Sequence, residues 1–359
     1  MFFHRFVLLA TSAAIAGCSS IGTGANGVPG GGISPLSAGA NGIDPANGID
    51  PANVRKIRLP GQPLPSWMKF GANVDRLAYV VLHNSNQPFL GPQVDVYPKS
   101  NMSNSPPHCY IGGWESIGTV GVDFLGNLWI PQVATYGRKA TFEYSQNCGD
   151  PIKSLDDNDG QPYAVAFGKH RDVYIENAYS VSGPGTGANI DVFAGGSGSP
   201  AVLSEPNAYT AVGEALDRPN NVYMSWVDSN SVGHVDEFVG GQNPAKTLPM
   251  TLGYVGGVNI DSEGNLLVVD QTAGTVDVFA PPYGANPIAT ITLQGFSLQC
   301  SLNRNGTRLY CGDYQQGSVD VYKYKPRNPA KTSYYYSWTN GLSPSDQVVG
   351  VSLAPAARN

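Results

Sequence analysis

The sequence predicts an all-β protein, a six-bladed β-propeller whose C-terminal strand completes the first blade. Three observations predict it. Residues 256–279 alternate apolar runs with two turns that carry Gly264 and Gly274, the pattern of a three-stranded meander. The last strand of that unit, an aromatic residue two positions after Asp, recurs along the chain. The aromatic residues are Tyr97, Phe193, Phe238, Phe279 and Tyr322 after Asp95, Asp191, Asp236, Asp277 and Asp320, and Tyr144 has Phe142 in place of Asp. A period of about 45 residues with several strands per repeat points to blades that bury their faces only against neighbours. Finally, no good first strand precedes Leu77 in blade 1, whereas residues 348–353 (VVGVSL) match the first strands of other blades. That segment is the expected clasp, and it removes the free edges of an open sheet.

From the start of the chain, residues 1–17 have the charged, apolar and small-residue regions of a secretory signal, too short for a membrane span. The end of this segment, Ile15, Ala16, Gly17 and Cys18, resembles the bacterial lipobox. The resemblance implies cleavage before a diacylated Cys18. Ser19, rather than Asp, after the Cys favours release to an outer membrane. Residues 18–55 are rich in Gly, Ala, Ser, Pro and Asn and include a tandem GIDPAN at 42–53. Nothing there can form a core, so they read as a flexible tether to a propeller body spanning 56–359.

Composition agrees with that body. Only 13% of the chain is charged, while it holds 44 Gly, 28 Pro and 19 Tyr, as many short strands joined by tight turns require. The formal net charge of -6, without a Lys or Arg cluster, argues against a nucleic-acid partner. The expected blades are residues 118–155, 162–203, 209–252, 256–293 and 296–338, after a first blade with strands near 77–82, 93–97 and 109–111. The protein is expected to be a monomer.

Within blades, the first turns share a pattern, at 123–127, 217–221, 261–265 and 303–306. Asp270 and Asp313 open second turns and suit side-chain to backbone turn bonds. The third-strand Asp residues repeat with the architecture, so they read as structural acceptors for neighbouring backbone. His83, His108, His170 and His234 show no metal-ligand spacing to one another or to a Cys. No nucleophile elbow or phosphate-cradling glycine loop is present.

Beyond Cys18 there are four cysteines, an even number in an exported chain. Cys300 and Cys311 fall opposite each other across the first turn of blade 6, within disulfide reach. Cys109 and Cys148 would pair across a blade boundary, or remain free buried thiols.

The unit 258–279 resembles the repeat of NHL-type propellers and of the gluconolactonase-like and lactonase-like six-bladed group, over about residues 70–355. That group holds hydrolases, lyases and non-catalytic binders, so the resemblance speaks to fold. The gluconolactonase-like enzymes imply a divalent metal on the channel axis, held by a Glu, two Asn and an Asp from different blades. The candidates here are Glu214, in the middle of a first strand, and Asn259 in the next blade. No cofactor is expected otherwise.

Second-to-third-strand loops read as long in blades 1 to 4, at 83–92, 131–139, 176–189 and 225–234. They carry Phe89, Tyr136, Tyr179 and Trp226, whose rings either line a ligand cleft or pack the loops onto the blades. Two functions follow. One is an envelope lipoprotein, anchored to membrane through Cys18, that binds a protein, glycan or small molecule without catalysis. The other is a lactonase-like or gluconolactonase-like hydrolase with an axial metal.

Overall fold

The structure, a computed structural model, describes residues 77–83, 91–98, 107, 109–112, 117–132, 139–145, 151–157 and 160–354. It also gives the backbone of three short strands before them, Ile43–Asp44, Gly48–Ile49 and Arg55–Arg58. The described residues form six antiparallel sheets in a ring, a six-bladed β-propeller, with single 3-10 turns and no α-helix. Each complete blade runs outward in sequence order, as in blade 5: Val255–Ile260, Leu266–Asp270, Thr275–Phe279 and Ala289–Thr292.

The first turns show why this sequence folds in this way. Asp261 Oδ1 accepts from the backbone N–H of Glu263 and Asn265 at 2.8 and 2.9 Å, and its Oδ2 from Asn265 Nδ2 at 2.8 Å. Asp123 and Asp217 hold Asn127 and Asn221 in the same way, at 2.8 and 2.7 Å. Each of these Asp residues also accepts from an aromatic side chain: Trp129 Nε1, Tyr223 hydroxyl and Tyr324 hydroxyl. Tyr324 belongs to blade 6 and Asp261 to blade 5, so the turn also ties two blades together. Between Asp and Asn the chain needs positive φ, supplied by Gly126 (85°) and Gly264 (81°) and, in blade 4, by Asn220 (75°).

The third-strand Asp residues are buried, and where their partners are seen these are side chains more than backbone, a correction to the expectation. Asp320 accepts from Ser337, Asp277 from Thr275 and Asp95 from Gln93. Hydroxyls and amides on the same or the adjoining strand reach these carboxyls because the ladder has already used the backbone donors.

Packing follows the ring. Among the described residues, six apolar clusters sit one at each blade boundary. The boundary of blades 6 and 1 contains Val348, Val351 and Leu353 with Val80, Leu82, Val319, Val321 and Trp338. Tyr97 and Trp338 meet there edge to face at 4.4 Å.

Blade 1 closes as expected: Val348–Ala354 pairs antiparallel with Leu77–Leu82, from Val348 opposite Leu82 to Ala354 opposite Leu77. The same sheet has a fifth strand that the sequence did not suggest. Arg55–Arg58 pairs antiparallel with Cys109–Gly112 on its outer edge. Within the GIDPAN tandem, Ile43–Asp44 pairs with Gly48–Ile49.

Cys300 and Cys311 are directly opposed and joined by a disulfide, with Cα atoms 4.0 Å apart. Cys109 is also disulfide-bonded, while Cys148 lies outside the described residues. Both sulfurs of blade 6 are shielded, Cys300 at 1% and Cys311 at 2% exposure. Reductant without denaturant is therefore expected to leave this bond intact, and Cys300→Ala with Cys311→Ala to cost up to ~3 kcal/mol in a denaturant melt. Alkylation of both thiols in the native, unreduced protein would contradict this.

Candidate functional site: the channel cavity

Because the first strand of each blade lies nearest the axis, the six together wall a channel. That channel holds a cavity of about 450 Å³, lined by residues 120–122, 165–168, 214–217, 258–260, 299, 301–302 and 352–353. The wall is mainly aliphatic backbone and side chain, with Glu214, Asn259, Gln299, Ser301 and Ser352 as its polar members. Its mouth is formed by first-turn residues: Phe124, 59% exposed, with Lys169, Arg218 and Asn220. It thus opens on the face of the first turns, opposite the face that carries second-to-third-strand loops. A second cavity of about 460 Å³ lies between blades 4 and 5 and shares Asp217, Arg218 and Ile260 with the first.

Glu214 sits mid-strand in Thr210–Leu216, as the sequence suggested, and is 9% exposed. Its carboxyl is pushed up to about 8 by burial; the backbone N–H groups of Glu176 and Ala166 temper this. Neither carboxyl oxygen has a hydrogen bond of good geometry. Glu176, on Val173–Ser180 of blade 3, is fully buried in the same neighbourhood. Burial first, and then the charge of Glu214, hold its carboxyl well above the usual range. Its oxygens also lack a hydrogen bond of good geometry. Sequence reasoning missed Glu176; the available signal was one acid inside the otherwise uncharged strand VYIENAYS.

Asn259 lines the cavity but donates its Nδ2 to the Cys300 carbonyl at 2.8 Å, which ties blade 5 to blade 6. Ser352 likewise donates to the Val120 carbonyl, joining the clasp to blade 2. Asp217 spends its carboxylate on the first turn, bonded to Asn221 and Tyr223. No group of three or more His, Cys, Asp or Glu side chains converges among the described residues. One cavity-lining carboxyl and one amide whose Nδ2 is spent on the Cys300 carbonyl fall short of the six to eight oxygen ligands that Ca²⁺ takes.

The expected aromatic cleft is only partly within view. Phe89 and Tyr136 lie outside the described residues. Tyr179 is half-buried near the end of its strand. Trp226 is on a strand, Val222–Val227, and not in a loop. It is 5% exposed and stacks on His234 with ring centroids 4.3 Å apart. The following connection is a short turn in which Asp228 accepts from the N–H of Asn230 and Val232 at 2.8 and 2.9 Å. The sequence suggested a long loop here because Ser225 and Asp228 read as polar punctuation, whereas Ser225 is buried in the ladder.

No protein-family model matches the chain, and no curated protein matches it in sequence. Solved structures do resemble its fold. A chain of the Nidogen/Laminin complex matches with a TM-score of 0.59 at 13% identity, over 79% of this chain and 99% of that one. A protein of unknown function from Bacteroides caccae matches with a TM-score of 0.56 at 11% identity, over 77% and 98%. A candidate 6-phosphogluconolactonase from Bacteroides uniformis ATCC 8492 matches with a TM-score of 0.50 at 14% identity, over 76% and 85%. These similarities establish a shared propeller fold among proteins of differing function.

Proposed function

We propose that the protein is a non-catalytic binding module of the bacterial cell envelope, tethered through a lipidated Cys18 and the segment 18–55, that takes a ligand in its channel cavity. The carrying observation is the cavity itself: about 450 Å³, within the range of small-molecule sites, with apolar walls and a few polar groups. The same wall lacks a ligand set for an axial metal among the described residues, which leaves the hydrolase reading without support of its own. The cavity therefore replaces the long-loop face as the place of binding in this proposal. Ser19 after Cys18 supports an outer-membrane address, and the net charge of -6 supports a partner other than nucleic acid.

The test has two parts. Cys18→Ala should move the protein from the membrane fraction to the soluble one, because acyl chains supply about 0.8 kcal/mol per buried methylene. Purified protein given lactone and ester substrates with Ca²⁺, Mg²⁺ or Zn²⁺ should show no turnover above Glu214→Gln. Retention of Cys18→Ala at the membrane would overturn the anchoring. Chelator-sensitive turnover lost in Glu214→Gln would establish the hydrolase instead.

A further inference from the structure

We propose that the channel cavity receives a small organic ligand through a primary ammonium group, taken up by the carboxyls of Glu214 and Glu176. This rests on the reading of the channel as a binding cavity and names the chemistry of what enters it.

The geometry that points there is a set of unmet acceptors. Glu214 lines the cavity, and Glu176 lies against it between blades 3 and 4. The four carboxyl oxygens of the pair are buried without a hydrogen bond of good geometry, and the nearby backbone N–H groups of Gly213, Glu176 and Ala166 only temper the effect of burial. Buried polar atoms are nearly always paired, so four poorly met oxygens side by side mark a place where something is missing. Once one carboxyl ionises, the pair offers negative charge and more acceptors than donors, so the complement is a donor-rich group. An ammonium offers three donors, no acceptor and the opposite charge.

The surroundings favour a single charged contact. Blades 1, 2, 5 and 6 contribute no titratable side chain to the cavity wall. Blade 3 contributes Lys169 at the mouth, with Tyr174 and Glu176 near Glu214; blade 4 contributes Glu214, Asp217 and Arg218. Lys169 and Arg218 are exposed on turns, and Asp217 is bound within its turn, so the Glu pair is the buried charge centre.

Since burial keeps Glu214 neutral up to about pH 8, an ammonium can be received only as one carboxyl ionises. Its proton leaves to solvent while the ligand keeps its charge, so one proton is released for each amine bound. Affinity then rises with pH, roughly fifty-fold from pH 6 to pH 8, as the ionised fraction of such a carboxyl grows from about 1% to about half.

Calorimetric titration tests this with three amines, ethanolamine, 1,4-diaminobutane and glucosamine, and three uncharged counterparts, ethylene glycol, 1,4-butanediol and glucose. The expected result is at least one amine binding tenfold or more tighter than its counterpart, with the pH dependence above. Titration in two buffers of different ionisation enthalpy should report one proton released. Glu214→Gln and, separately, Glu176→Gln should weaken the amine at least tenfold, and Glu214→Gln should also abolish proton release, with each variant's melting at pH 6 confirming its fold. If a neutral counterpart binds as tightly as its amine, or both variants bind the amine unchanged, the ammonium assignment is overturned while the cavity reading stands. If none of the six binds, both fall.

Discussion

Deletion of residues 348–359 is expected to abolish cooperative melting and leave an aggregating chain. The clasp strand Val348–Ala354 is buried along its whole length and supplies Val348, Val351 and Leu353 to the boundary of blades 6 and 1. At about 1.5 to 3 kcal/mol for each large aliphatic side chain, its loss rivals the 5 to 15 kcal/mol of net stability a domain commonly has. It also bares the edge of Leu77–Leu82, a strand with every residue buried, as a template for another chain. Size-exclusion chromatography and circular dichroism melting of the truncated protein would check this, and a synthetic peptide of residues 345–359 added during refolding should restore a cooperative transition. A monomeric truncation that melts like the full chain would show that the ring does not depend on this closure.

The second large effect is a loss of stability toward alkaline pH. Glu214 is raised to about 8 and Asp236 to about 7, in both cases first by burial; Glu205 beside Asp236 adds to the latter. Asp95 and Glu176 are held well above their usual range by burial, and Asp277 and Asp320 are raised for the same reason. A carboxyl whose pKa is higher in the folded state binds more protons folded than unfolded. Its contribution is therefore whole below about pH 4 and is lost as pH rises through the folded value. Each such group forfeits about 1.4 kcal/mol per pH unit across its window.

His83 works in the opposite direction. It is buried, bonded to the Ile117 carbonyl, and lowered to about 4 by desolvation, so it destabilises the fold as pH falls below about 6.5. Several carboxyls outweigh one imidazole, and maximal stability should lie at mildly acidic pH, with a loss on the order of 5 kcal/mol from pH 5 to pH 8.5. Urea melts across that range measure it. Glu214→Gln should flatten the slope between pH 5 and pH 8 by about one proton; an unchanged slope would mean that Glu214 is ionised in the folded protein.

Blade architecture was legible in the chain because it rests on local devices. In blades 2, 4 and 5 the Asp that opens the first turn, the residue at positive φ and the Asn that closes it are a self-contained hydrogen-bonding unit, readable from five consecutive residues. The clasp was legible by subtraction, since blade 1 lacked a strand and residues 348–353 had no other partner. Arg55–Arg58 was not, because a charged outer strand lacks the apolar pattern that signals a strand, and its pairing partner lies some fifty residues away. The cavity was half legible. Glu214 stood out as an acid in an apolar strand, but Glu176 acquires its meaning only where blade 3 meets blade 4, a contact between residues distant in sequence. Trp226 failed for a related reason: a polar neighbour in a buried ladder looks like a loop when only composition is available.

The clasp also dictates an order of events during synthesis. Blades 2 to 6 are each made from consecutive residues and can assemble as the chain emerges, whereas Leu77 finds Ala354 only after almost the entire propeller has been made. Ring closure is thus the most non-local strand pairing among the described residues and should be the slow step of folding. Until then the apolar strand Leu77–Leu82 waits with one edge open, so the nascent chain needs a chaperone most between the emergence of blade 1 and the synthesis of the clasp strand.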